Sequence, residues 1–179
     1  MTKITDTKIF GKIFGDVIVA NSSLDKNHVI NAKSLYGGTL QKGNDNDTVL
    51  KSFKPEETFA TFLVTHDNSS DTMTEDVDNT LTTYESFICS IMIYGEHYND
   101  VTSNLYARLL TQEILTSLHS KGVHIQTIEN KGDASDFLNG MLVKRRDLII
   151  HFSCEMDTSK IEKYDEMSSF DIETITPSR

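Results

Sequence analysis

Six histidines, two cysteines and a run of carboxylates are the residues whose types could do chemistry, and their spacing argues against most of it. None of His28, His66, His97, His119, His124 and His151 forms an H-x-x-x-H pair. His119 and His124 are five apart, but the expected helix end at Gly122 falls between them. Cys89 and Cys154 each sit inside an apolar strand-like run, where a buried free thiol is expected rather than a disulfide or a nucleophile. Tyr36-Gly37-Gly38 lacks the GxxxxGK[ST] pattern of a phosphate loop, and there is no G-x-S-x-G elbow. The carboxylates from Glu75 to Asp78 lack the ligand order and glycine of an EF-hand. No catalytic residue, metal ligand or cofactor site is predicted.

Charge says more than motif. The chain carries a formal −10, with no Lys or Arg between Lys54 and Arg108. Glu56, Glu57, Asp67, Asp71, Glu75, Asp76, Asp78, Glu85, Glu96 and Asp100 all fall in that gap. A surface of this sign repels nucleic-acid phosphate, which argues against sequence-reading DNA or RNA binding. For most of these carboxylates simple solvation is the plainer account. The compact basic cluster is Lys144-Arg145-Arg146, just ahead of a strand. It reads either as a patch for the acidic segment of a neighbouring subunit or as a solvated strand edge that discourages aggregation.

The elements that position these groups follow from apolar periodicity. The chain is organised around 82–129: a strand Tyr84 to Tyr94, a turn at Gly95 to Asn99, a long helix, and a strand after Gly122. In the helix window Asp100 to Ser120, Val101, Leu105 and Leu109 line one side. Tyr106, Leu110, Ile114 and Leu118 line the adjoining one. At about 100° per residue these positions cover over half the circumference, more than one sheet can bury, so the second side is predicted to meet another helix or subunit. Lys121 and Gly122 suit the C-terminal end of that helix.

Elsewhere, Ile9, Phe10, Ile13, Phe14, Val17 and Ile18 predict an amphipathic helix, capped by Thr5 or Asp6 and ended by Asn21-Ser22-Ser23. Gly11 and Gly15, four apart within it, either permit close packing or are coincidental. Residues 21–57 read as an extended arm with a short strand at His28 to Ile30 and a loop at Gln41 to Thr48. Thr58 to Thr65 predicts a strand, and His66 to Thr80 an acidic, exposed loop. The Tyr84 to Tyr94 strand has apolar residues facing both ways, so a central position covered on both sides is expected. Lys131-Gly132-Asp133 predicts a turn and Ser135 to Asn139 a short helical turn. Leu148 to Met156 predicts a strand, 157–166 a loop, and Met167 to Ile175 its antiparallel partner.

The expected class is therefore α+β: one domain over 1–179, a mixed or antiparallel sheet, a long central helix, and the N-terminal amphipathic helix packed on it. Hydrophobic content of 37% is slightly low, consistent with part of the chain lying outside the core. Met1 to Phe10 has no apolar signal region, and no apolar run approaches the roughly 20 residues that span a bilayer, so a soluble protein is expected.

From Thr83 to Ile175 the chain resembles the neck or tail terminator proteins of tailed bacteriophages. The match lies in a strand ending in Tyr94-Gly95, a helix from Val101 to Ser120, Gly122 followed by a strand to Ile128, and Arg146 leading into Leu148 to Met156. Phe170 to Ile175 stands in the place of the last hairpin partner, and the N-terminal amphipathic helix also fits. The segment 21–78 departs from the shorter family versions. The resemblance implies a structural virion protein, made in the host cytoplasm, that forms a homohexameric ring at the tail–neck junction. Its implied partners are other copies of itself, the tail tube protein, the head connector or neck protein, and the sheath protein if the tail is contractile. The genome would pass through the ring without sequence-specific binding, and no membrane is involved. The Lys-, Ile-, Asn- and Asp-rich usage suits an AT-rich genome.

The expected subunit interface comprises Tyr106, Leu110, Ile114 and Leu118 with Lys144, Arg145 and Arg146. Replacing Leu110 and Ile114 with Asp is predicted to stop ring formation while the monomer stays folded. Other readings are a head-completion or connector adaptor, a minor tail protein, a domain using the acidic loop for a divalent cation, and an adaptor binding a basic partner through residues 66–80.

Overall fold

The computed structural model describes residues 8–32, 54, 56–67, 72–75, 81–138 and 141–156. Elements run α1 (Ile9–Asn21), a 3₁₀ turn (Lys26–His28), β1 (Val29–Asn31), β2 (Phe59–His66), β3 (Thr72–Glu75) and β4 (Leu81–Tyr94). Then come α2 (Tyr98–Leu109), α3 (Gln112–Ser120), β5 (His124–Leu138) and β6 (Met141–Met156). The strands form one sheet in the order β1-β2-β4-β6-β5, with β3 also paired to β4. Among the described strands only β1–β2 is parallel, so the sheet is mixed and the α+β class holds.

β4 is central as expected, because it runs between β2 on one side and β6 on the other. Its two faces are not equivalent. Phe87, Cys89, Ile91 and Ile93 are buried in the main core, whereas Ile88, Ser90 and Met92 on the other face are half-buried. The main core joins β4 to Leu148, Ile150, Phe152 and Cys154 of β6, Ala60 and Phe62 of β2, and the buried sides of the helices. Alternation along β4 and β6 puts these residues on one face, and α1 closes it with Phe10, Phe14 and Ile18. A smaller cluster of Ile30, Phe59, Tyr94 and Val143 lies apart from that core, with Phe59 and Tyr94 stacked at 5.0 Å.

The two helical glycines are explained by what faces them. A Cβ on Gly11 would lie 2.5 Å from the Asn31 side-chain nitrogen, and one on Gly15 would lie 3.4 Å from the Phe62 ring. Both let α1 approach β1 and β2 closely.

Several expectations are corrected. The long central helix is two helices: α2 stops at Leu109, and Thr111 adopts an extended conformation (φ −74°, ψ 143°) before α3 begins. The Thr111 hydroxyl and N–H both donate to the Arg108 carbonyl, at 2.7 and 2.9 Å. This local bonding competes with continuation of the helical ladder. The break also resets the helical phase, so the wide apolar arc of an unbroken helix becomes two narrower stripes. Val101, Leu105 and Leu109 of α2 and Leu118 of α3 all enter the same core.

The 66–80 loop contains a strand, β3, because β4 outlasts β2 and offers Leu81–Tyr84 as further pairing partners. Ser135 to Leu138 is extended in β5 and not a helical turn, and Lys131-Gly132-Asp133 is no chain reversal. The register slips between Asn130 and Asp133, so the extra residues bulge while the strand continues. Long-range ladder bonds to β6 override the local turn preference there. The short strand expected at His28 to Ile30 is Val29–Asn31. The proposed caps Thr5 and Asp6, the Tyr36-Gly37-Gly38 turn, the loop at 41–48, and the 157–166 loop with its 167–175 strand lie outside the described residues.

Candidate assembly surface

The four helix positions expected at an interface separate once the helix is broken. Leu118 is 1% exposed and belongs to the core. Tyr106 and Ile114 are half-buried and pack against that core. Leu110, at the corner between α2 and α3, is 51% exposed. Leu110 alone of the four is largely free to meet a second surface, and an Asp at Ile114 would disturb the monomer's own packing.

The basic triplet is divided by strand alternation. Arg145 lies 5.9 Å over the Tyr94 ring, and its Nη1 donates to Asp136 Oδ2 at 2.6 Å. Its Nε lies 3.3 Å from Asp147 Oδ1, an ion pair without hydrogen-bond alignment. Burial pushes the Tyr94 hydroxyl and the Asp147 carboxyl above their ordinary values, with Arg145 opposing in both cases. Arg146 works with the neighbouring helix instead. Its Nε donates to Asp133 Oδ1 at 2.8 Å and its Nη1 to Asn99 Oδ1 at 2.5 Å, while the Tyr98 hydroxyl donates to Asp133 Oδ2 at 3.1 Å. Both arginines therefore brace the root of the β5–β6 hairpin within this chain. Lys144 is exposed, and its carbonyl accepts from the Gly95 N–H at 3.3 Å.

Beyond that root lies a feature that sequence reading missed. β4 pairs with β6 only as far as Arg145, whereas β5 and β6 continue pairing to Leu138 and Met141. The β5–β6 ladder thus runs about 13 Å past the last β4–β6 pair, four residues at roughly 3.3 Å each. Val143 within it is buried with Phe59 and Tyr94, and the end beyond Val143 projects from the sheet. Phe137 and Leu142 face each other across it at 72% and 63% exposure, and Met141 is 46% exposed. The signal available in sequence was the run Phe137-Leu138 and Met141-Leu142 on either side of Asn139-Gly140, a two-residue hairpin dipeptide flanked by apolar residues.

The histidine reading also changes in three dimensions. Gly122, at φ +82°, reverses the chain after α3, and this brings the His119 and His124 rings to 4.6 Å at 88°. Burial, and next the charge of His119, hold His124 below its ordinary value of 6.5, with Glu155 opposing. Folded His124 therefore binds its proton less readily than the unfolded chain does. Its contribution is present above about pH 6.5 and is lost as pH falls through the depressed folded value. Melting temperatures measured from pH 7.5 down to 5 are expected to fall, and His124→Gln is expected to flatten part of that slope; an unchanged slope would exclude His124 as a cause.

Cys89 is buried opposite Ile150 and Cys154 opposite Glu85 in the β4–β6 register, so the two thiols are not cross-strand neighbours. Burial pushes both thiols up, Cys154 to about 12 with the Glu85 charge adding, which removes thiolate reactivity near neutral pH. Among the described residues no group of three or more His, Cys, Asp or Glu is placed to hold a metal. No described helix is long and apolar enough to cross a membrane. Compared with known proteins, the chain matches no protein-family model and no curated protein.

Proposed function

We propose that this chain is a structural assembly protein of a tailed phage, a tail terminator that caps the tail tube as a six-fold ring and joins it to the head connector. The observation that carries the reading is the overhanging hairpin with Phe137, Met141 and Leu142 exposed at its end. Large apolar side chains concentrated on a projecting ribbon favour a protein surface as their environment over water. Supporting it is part of the order on which the resemblance rests: β4 ending at Tyr94-Gly95, a helical stretch closing at Gly122, here two helices where the resemblance has one, then β5 and the apolar half of β6 after Arg146. A tip that meets a different surface on the next copy makes a heterologous contact, the kind that closes rings. The net −10 suits a DNA path, since carboxylates repel the passing phosphates.

The test is native mass and negative-stain imaging of the wild type beside Phe137→Asp/Leu142→Asp and Leu110→Asp, alone and with tail tubes. The wild type is expected to form six-membered rings, and the hairpin variant to remain monomeric with an unchanged circular dichroism spectrum. Rings from the hairpin variant would remove the tip from the interface. A wild type that is monomeric both alone and with tubes would sink the terminator reading.

A further inference from the structure

We propose that the corner between α3 and β5 is a binding site for a first-row transition-metal cation such as Zn²⁺ or Ni²⁺, with the imidazoles of His119 and His124 as its protein ligands. The two rings come from the last turn of α3 and the first residue of β5, and their centroids are 4.6 Å apart. At a metal–nitrogen distance of about 2.1 Å, two imidazoles on one tetrahedral ion have ring centres roughly 5 Å apart. The rings thus stand near the required separation already. His124 Nε2 is buried without a hydrogen-bond partner, and such a nitrogen is costly unless something coordinates or bonds to it. Imidazole nitrogen suits Zn²⁺, Ni²⁺ and Cu²⁺, whereas Mg²⁺ and Ca²⁺ take oxygen ligands.

The surroundings fit an open site. The pair lines a groove of about 410 Å³ with Gln112 and Thr116, which leaves space for waters in the remaining coordination positions. Neutral imidazole is the form that binds metal, so binding is strongest above the ordinary histidine range. A bound ion would tie the end of α3 to the start of β5 across the Gly122 turn. With two protein ligands the site binds more weakly than a closed four-ligand one.

The experiment uses the untagged full chain stripped with EDTA, titrated calorimetrically with Zn²⁺ and with Ni²⁺ at pH 7.5. One ion per chain is expected, with a rise in melting temperature at saturating metal. His119→Gln and His124→Gln are each expected to weaken binding at least tenfold, and lowering the pH to 5.5 to do the same. His119 is exposed, so His119→Gln should keep the metal-free melting temperature of the wild type and separates ligand loss from misfolding. Isotherms that are the same in wild type and His119→Gln, or no heat and no thermal shift in the wild type, would overturn the proposal.

Discussion

Phe152→Ala is expected to lower the stability of the fold by about 3–5 kcal/mol, the range for truncating a fully buried aromatic side chain. The side chain has no exposed surface and sits where three other rings meet. Phe14 lies at 4.9 Å, Phe10 at 5.1 Å edge-on and Phe87 at 5.5 Å in a stacked arrangement. Phe10 and Phe14 belong to α1 and Phe87 to β4, so one truncation opens a void between the first helix and the centre of the sheet. The strands hold their spacing through ladder hydrogen bonds, and α1 cannot sink into the gap without losing contacts elsewhere, so the void stays largely unfilled. Urea unfolding followed by circular dichroism measures the change. Phe152→Leu, which keeps most of the volume, is expected to cost well under half as much. Equal costs for the two variants would mean that the lost ring contacts, and not the void, set the cost.

Gly95→Ala is expected to destabilise by about 3 kcal/mol, combining left-handed backbone strain with a steric clash. Gly95 has φ +101°, and an added Cβ would lie 2.8 Å from Thr58 Cα and press into the Glu57 carbonyl. The same turn is held by the His97 N–H donating to Thr58 Oγ1 at 3.0 Å, so the chain ahead of β2 and the exit from β4 cannot easily separate. The informative comparison is Gly122→Ala, also at positive φ (+82°), where backbone strain is expected to cost about 1–2 kcal/mol. Thermal melts of both variants decide the matter. If the two lose the same amount, the close backbone approach at Gly95 is not what requires a glycine there.

The positions that were legible in sequence share one property: their structure follows from a pattern within a single segment. The 3–4 spacing of Ile9 to Ile18 gives α1, and alternation gives the faces of β4 and β6. Gly122 marks the end of the second helical segment, and the apolar setting of Cys89 and Cys154 makes both thiols buried and free. Tyr94-Gly95 marks the β4 exit because the positive φ there tolerates glycine far better than any residue with a Cβ.

What required the tertiary structure is whatever depends on a second segment. Thr111 is compatible with a helix by itself, and the break there is set by its bonds to Arg108 together with the burial of Leu118. A phase change of that kind leaves composition and mean spacing untouched, so Leu110 and Leu118 look equivalent in sequence and end at 51% and 1% exposure. Residues 135–138 have turn-like composition, but each gains ladder bonds by facing 141–144 of β6. Arg145 and Arg146 are adjacent in the chain, yet a strand sends them to different partners, Tyr94 with Asp136 and Asn99 with Asp133. The approach of His119 to His124 needs the reversal at Gly122, and the overhang of the hairpin tip needs β4 to stop short of the β5–β6 turn. Sequence by itself determined which faces are apolar, because burial acts on each side chain separately; only the tertiary structure decided which of those faces meet within one chain, because pairing free energy belongs to two segments at once.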